Sequence, residues 1–381
     1  MYNISYINTS IEDYTDISLG SSIYVQQKTI IDIFEEFKKN NKIKSNILIE
    51  FGQNPGLIQH YILYSLNYLN KIKNNSDIDN YDIDILIKTI DEYKIGMILI
   101  SEIDNIYKKD DDNLLEKDKV YNTWCVSGMI SESFDKCELV YGKKNKFIKP
   151  KILKNMINME KNKFVDDYQI LFLKNKGYDC HLHSICPILI NNVINFITYE
   201  GKLIHHGEIF ELAKLFGNKA PFMSYVYKIN KYAEKTIKDI FENKFNSNEE
   251  KFVNYINNDC NSNTVINNFK EQYEGFDSIG CTIFCGKKNI EKIYWCGSIL
   301  NHTDNNVNKY FTSTIIQVAA GVLSGLSYIM EKSNKKKGLM MSCDLDTVYI
   351  LKKAMPLLGQ FFITEIDKRK FNNDLYLKVK K

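Results

Sequence analysis

At 381 residues, with 44% hydrophobic and 25% charged side chains, the chain is long enough for two domains and has the make-up of a folded protein. A net charge of +3 gives no electrostatic reason to place nucleic acid or a membrane surface among its partners. Nine scattered cysteines cannot all pair internally, which fits a reducing, cytoplasmic setting, and no apolar run approaches the ~20 residues that span a bilayer.

The opening residues, Met1 to Tyr6, show no basic region followed by an apolar stretch, so no secretory signal is expected. Ile4 to Ile7 reads as a short strand. Ile30, Ile33, Phe34 and Phe37 recur at helical spacing and predict a helix over 27–40. Ile47, Leu48 and Ile49 form the short apolar run of a buried parallel strand. Gly52-Gln53-Asn54-Pro55-Gly56 breaks it, and Ile58, Tyr61, Ile62, Leu66 and Leu69 define a second helix. Strand, helix, strand, tight turn, helix is a doubly wound α/β rhythm.

The polar stretch from Asn70 to Asp84 predicts an exit from that first lobe. From there to about Leu300, strands such as Ile95–Ile100 and Ile279–Phe284 mix with helices in an α+β pattern. Two polar segments, Lys108–Lys117 and Asn243–Asn263, read as surface loops. Phe311 to Met330 predicts a helix of small and apolar residues, in which Gly321 and Gly325 permit close approach of a neighbour. No internal repeat is visible.

The turn around Asn54 falls at the carboxyl edge of an open α/β sheet, where ligands bind. Pro55 suits a first helical turn, and Asn54 can either cap that helix or reach a ligand. Glu12, Glu102, Glu132 and Glu208 each follow an apolar stretch read as a strand. Any one of them alone suits a solvated strand end; four brought together suit a cationic substrate. Trp124 is a core residue or, through its π face, a seat for an ammonium. Cys180-His181-Leu182-His183-Ser184-Ile185-Cys186 is a poor zinc site, because on a strand the two histidines face away from the two cysteines. No metal is expected. His205 and His206 precede Glu208, and no Gly-x-Gly-x-x-Gly occurs in the chain.

Several segments together resemble homospermidine synthase, of the saccharopine dehydrogenase-like superfamily. Asn122 to Glu132, reading Asn-Thr-Trp-Cys-Val-Ser-Gly-Met-Ile-Ser-Glu, is similar to that family's Asn-Thr-Trp-Ser-Val-Glu-Gly-Phe-x-Ser-Glu and is the most specific match. Tyr6 to Glu12 resembles a strand ending Asp-Thr-x-x-Glu-Pro-Trp, and Gly52 to Leu57 resembles Gly-Ala-Asn-Pro-Gly-Met. Ile98–Ile103 is similar to His-Ile-Ala-Glu-Arg, His206–Glu208 to His-Asn-Glu, and Tyr294–Ser298 to Tyr-Trp-Tyr-Gly-Ser. Thr314–Val318 resembles Thr-x-Leu-Gln-Val, and Pro356–Gly359 resembles Pro-Tyr-Leu-Gly. The matches run in order along nearly the whole chain.

The resemblance implies an α/β protein in which a truncated Rossmann-type domain, 1–72 completed by 305–381, joins an α+β substrate and dimerisation domain, 73–304. It implies NAD as cofactor, putrescine or a related diamine as substrate, and a homodimer. Two putrescines would be joined to homospermidine with loss of ammonia, the cofactor taking a hydride and returning it. His206 and Glu208 would be the proton-transfer pair, with Glu132 and Glu102 as further catalytic acids. Trp124 would hold the cationic centre, Glu12 an ammonium, and Asn54 would sit beside the nicotinamide. Gly52, Asn8, Thr9 and Gln317 would line the cofactor pocket.

The sequence departs from the family in places. The Gly-rich phosphate turn precedes the matched segment in the family, so the resemblance implies a dinucleotide half supplied by a separate NAD-binding polypeptide. Asn8 replaces an acid, Asp13-Tyr14 replaces Pro-Trp, Ser127 replaces a Glu, and Gly207 replaces an Asn. The competing readings are a catalytically inactive fragment, a polyamine-binding or regulatory protein, or a reductive coupling of another amine. The last would want a basic residue for a substrate carboxylate, and none stands at the matched positions.

Overall fold

The computed structural model describes residues 4–11, 22–40, 45–108, 119–145, 163–165, 167–258, 263–265, 273–286, 289–303, 311–332, 337–370 and 377–379. Among them the α/β class expected from the sequence is found, as a small parallel sheet beside a large, mostly antiparallel one.

The small sheet holds β1 (Tyr6–Ile7), β2 (Asn46–Leu48) and β11 (Gly338–Met340), in parallel, with β2 in the middle. Helix α1 (Ile23–Lys39) starts earlier than its apolar spacing predicts, because Ser22 caps it by accepting from Val25 N. Helix α2 (Leu57–Asn74) follows the tight turn. Its N-cap is Gly56, whose φ of 132° favours glycine, so Pro55 lies ahead of the first helical turn rather than in it. Asn54 therefore caps nothing. The helix runs on through Asn74 into the stretch read as an exit, ending on Asn75 in the left-handed conformation, and α3 (Ile83–Glu92) begins after Asp82 as cap.

The large sheet has eleven strands among the described residues. Those that matter here are β3 (Ile95–Asp104), β4 (Lys136–Gly142), β5 (Tyr168–Lys176), β6 (Cys180–Ile190), β7 (Val193–Ile204), β8 (Phe222–Lys228), β9 (Phe276–Cys285), β10 (Lys292–Asn301), β12 (Gln360–Ile366) and β13 (Leu377–Val379). The path runs β12, β10, β9, β3, β8, β7, β6, β13, with β4 bridging β8 and β5. Only β3 and β8 pair in parallel along it. The C-terminal stretch thus contributes β11 to the small sheet and β12 and β13 to the large one.

Strand alternation sorts the large sheet's side chains onto two faces. Ile98, Ile100, Ile279, Cys281 and Ile283 pack with the helices, while Met97, Leu99, Phe284, Trp295 and Val226 build a second core on the opposite side. Every residue of β3 and β9 is buried, so both read as continuous apolar runs in which polar residues stand out.

Helices α4 (Val126–Phe134), α5 (Glu208–Phe216), α6 (Lys231–Ile237) and α7 (Glu249–Asn258) flank the sheet. The Asn-rich segment 243–263 is thus not simply a surface loop: Phe252, Val253 and Ile256 give α7 a buried stripe. Of Lys108–Lys117, only Lys108 lies within the described residues.

Helix α8 (Ser313–Glu331), capped by Thr312, is long and apolar enough by length and composition to cross a membrane, yet half of its most apolar stretch is buried in the protein. Gly321 and Gly325 let it press on the tight turn. A methyl on Gly321 would fall inside the shell of Gly52 O, and one on Gly325 would lie 2.5 Å from Phe51 Cδ1. The last helix, α9 (Thr347–Ala354), packs against α8 and α2.

Candidate active site

The site forms where one face of β3 and its neighbours meets α4, α5 and the turn before α2. Glu102 lies within β3 rather than after it, opposite Tyr227 on one side and Ile279 on the other. Asp104, two residues on and on the same face, stands opposite Asp277. Tyr225 and Tyr227 alternate on β8 with their rings stacked, 5.9 Å between centroids. Glu132 is on helix α4, not at a strand end, because Cys125 opens a helix there by accepting from Gly128 N. Glu208 is the first residue of α5.

These elements bring most of the sequence-derived residues together. His206 sits between two carboxylates: its Nδ1 is 3.1 Å from Glu208 Oε2 and its Nε2 is 3.3 Å from Glu132 Oε1. Its ring lies 4.4 Å from that of Tyr225, whose hydroxyl donates to Glu102. Asn54 joins the same group, its Nδ2 donating to Glu102 Oε2 at 3.0 Å and to Tyr225 Oη at 2.7 Å. Asn54 is thus bonded to this group of side chains and does not cap α2. Trp124 is half-buried and donates from Nε1 to Tyr227 Oη at 3.1 Å. Glu12 lies outside the described residues.

The electrostatics follow from burial. Glu102, Asp104 and Asp277 are all removed from water, which pushes each carboxyl up, and mutual repulsion adds to it. Asn54 and Tyr225 pull Glu102 back, and Thr123 Oγ1 and Ile106 N do the same for Asp104. For His206 burial acts downward, but the charges and hydrogen bonds of Glu208 and Glu132 outweigh it and hold the imidazolium well above its usual range. Among the described residues, two buried carboxyls are left with an unpaired oxygen: Glu208 Oε1 and Asp277 Oδ1. A buried carboxylate without a donor is costly. A cationic ligand would offset that cost.

The residues expected around the cofactor divide. Gly52 and the exposed Thr9 touch at the C-terminal ends of β1 and β2, where a methyl on Gly52 would meet Thr9 Cβ at 3.4 Å. That is the ligand-binding edge of a doubly wound sheet. Asn8 lies just before Thr9, its Oδ1 accepting from Glu50 N at 2.9 Å. Gln317 is wholly buried, donating to Ser298 Oγ at 3.3 Å, with its own Oε1 unpaired.

Sequence reasoning overlooked Asp104, Asp277, Tyr225, Tyr227 and Glu50. A signal for the first two exists: an acid inside a run of buried apolar residues, on the face that alternation assigns to Glu102. The remaining histidines stand apart. His181 and His183 share Glu200, at 3.0 and 3.6 Å, while Cys180 and Cys186 are buried on the opposite face. His205 lies 3.8 Å from Asp135 and is driven down to about 3 by burial.

No protein-family model matches the chain. Over 251 residues it is 25% identical to a homospermidine synthase of Mesorhizobium japonicum, a stretch that is 64% of this chain and 45% of that protein. The chain thus matches less than half the length of this curated relative. Its fold is similar to that of a homospermidine synthase from Legionella pneumophila solved in complex with NAD, with a TM-score of 0.72 and 21% identity. That match covers 97% of this chain and 73% of the other. A weaker likeness, with a TM-score of 0.42 and 12% identity, is to saccharopine dehydrogenase from Saccharomyces cerevisiae, over 85% of this chain and 74% of that one. By sequence and by fold, then, the chain is homospermidine synthase-like, as its motifs predict.

Proposed function

We propose that the chain carries the diamine-binding and proton-transfer half of a homospermidine synthase, coupling two putrescines with loss of ammonia. The observation that carries this reading is His206 held between Glu208 and Glu132, beside the Asn54–Glu102–Tyr225 group and the Trp124–Tyr227 pair.

A diamine is doubly positive at neutral pH, and two buried carboxyls here, Glu208 and Asp277, each keep one oxygen unpaired. An ammonium must lose a proton before a hydride can leave its carbon. Both ring nitrogens of His206 lie within reach of a carboxylate, so the ammonium's proton passes to one of those acids, beside an imidazolium already held in its charged form. Trp124 supplies an aromatic face for a cationic carbon–nitrogen centre, an attraction of roughly 2 kcal/mol or more once water is excluded. Glu102, tied to Asn54 and Tyr225, orients the amine.

When bound, NAD supplies the hydride acceptor. In this reading Asn54 would sit beside its nicotinamide, and Gly52, Asn8, Thr9 and Gln317 would line its pocket. The Gly-rich turn that would hold its phosphates is not in this sequence, so a further NAD-binding segment is part of the proposal, as are the homodimer and a cytoplasmic setting.

The test is to measure putrescine binding to the chain by calorimetry. Homospermidine is then sought by chromatography after incubation with putrescine and NAD, with and without an added Gly-rich strand–turn–helix segment from a homospermidine synthase. Product that depends on the added segment supports the proposal. Binding without product under either condition favours a polyamine-binding protein. No binding at all sinks both.

A further inference from the structure

We propose that Glu50, clamped by Gln27 over the backbone of Gly207, is a positioning residue that tunes how tightly His206 holds its proton. The inference rests on the reading of that pair as the proton-transfer group.

Glu50 lies two residues beyond β2 with a φ of 54°, in the left-handed region that a glycine enters freely and a side chain resists. The carboxyl it carries there is nevertheless buried, 4% exposed. Gln27 on α1 donates to one of its oxygens. Both residues fill the volume that any side chain at 207 would need. A methyl on Gly207 would lie 2.5 Å from Glu50 Oε1 and 2.8 Å from Oε2, and would collide with Gln27 Nε2 as well. Glycine at the position between His206 and Glu208 is thus what lets the carboxyl of Glu50, just past β2, lie against that turn.

The groups facing Glu50 are Gln27 from α1, Glu208 and Glu211 from α5, and His206 just before it. Glu211 is itself held by Cys343 N at 2.6 Å and Gln59 Nε2 at 2.8 Å. Burial pushes the Glu50 carboxyl up to about 8, the Gln27 bond pulls it back, Glu208 and Glu211 add to the rise, and His206 opposes it. Near neutral pH Glu50 therefore keeps its proton, leaving His206 with two carboxylates as ionic partners. Ionisation of Glu50 adds a third negative charge behind them, which strengthens the hold on the imidazole proton.

The test is a pH titration of the labelled histidine ring resonances of the full chain by NMR, with His206 assigned from a His206→Gln variant. The wild-type His206 resonance should show an inflection near pH 8 that disappears in Glu50→Gln while far-UV circular dichroism is unchanged. Gly207→Ala, which displaces the carboxyl, should abolish the same inflection. A flat wild-type curve near pH 8 overturns the proposal, as does a Glu50→Gln curve that superimposes on an inflected wild type. No polyamine or cofactor is needed. Failure of the homospermidine assay therefore leaves this result standing, and an intact assay does not rescue it.

Discussion

The two sheets of this molecule are built to different standards. In the large sheet β3 and β9 are ten residues each and buried throughout, so the acids they carry are held rigidly and out of water. In the small sheet the strands are two or three residues long; Tyr6 of β1 is 53% exposed and Ile4, ahead of it, 71%. Nearby, α8 turns Leu323, Leu326 and Met330 outward. The contrast shows that the acid-lined side of the chain is preorganised by its own core. The side that would meet a dinucleotide offers an edge and a few contacts.

Four experiments sharpen or break that contrast. The largest effect is expected for Glu208→Gln, which removes one of the two acids bracketing His206; homospermidine formation in the complemented assay should fall roughly 10²- to 10⁴-fold. A rate within twofold of wild type would mean that the chemistry does not reside on the large-sheet side. Trp124→Ala should cost roughly thirty-fold, from about 2 kcal/mol of lost cation–π attraction, and Trp124→Phe should recover part of it. Equal rates in all three proteins would remove the indole from the mechanism.

Gly321→Ala probes the small-sheet side, because the added methyl meets Gly52 O at the foot of the turn. We expect a loss of about 1–3 kcal/mol in stability, read from denaturant melts. An unchanged midpoint would mean that α8 is not pressed on the turn as described.

The smallest effect concerns pH. Burial raises Glu138 and Glu211 to about 7 and Glu50 to about 8, from 4.5. Their folded-state values exceed the unfolded ones, so the stability they contribute is full below about 4.5 and is lost as pH rises through about 7–8. His60 and His205, lowered to about 3 from 6.5, act oppositely: their contribution is present above about 6.5 and lost as pH falls toward about 3. The melting temperature of the ligand-free chain should thus decline by a few degrees between pH 6 and pH 8, and putrescine should raise it more at pH 8. A profile that climbs over that interval would mean the acids are not buried as the structure has them.

Much of this was legible in the residues. The apolar run at Ile47–Ile49 and the glycine-rich break after it predict a buried parallel strand and tight turn, and β2 and its turn are found there. Gly321 and Gly325 mark the close approach of α8. Where the reading slipped, a local rule met a competing one. Glu132 follows Met129-Ile130-Ser131, which looks like a strand until the Cys125 cap is seen to open a helix. Asn243–Asn263 is polar enough to hide the three apolar residues that seat α7.

By itself the sequence determined that Trp124, Glu102, Glu132, His206 and Glu208 are the residues to watch, because motif order and residue type are local properties that survive without coordinates. Only the tertiary structure decided that Asp104, Asp277 and the two tyrosines share their face, and that Glu50, just past a strand of the other sheet, lies on Gly207. Strand register and the docking of one element on another are set by packing across the whole core, and no spacing along the chain encodes them.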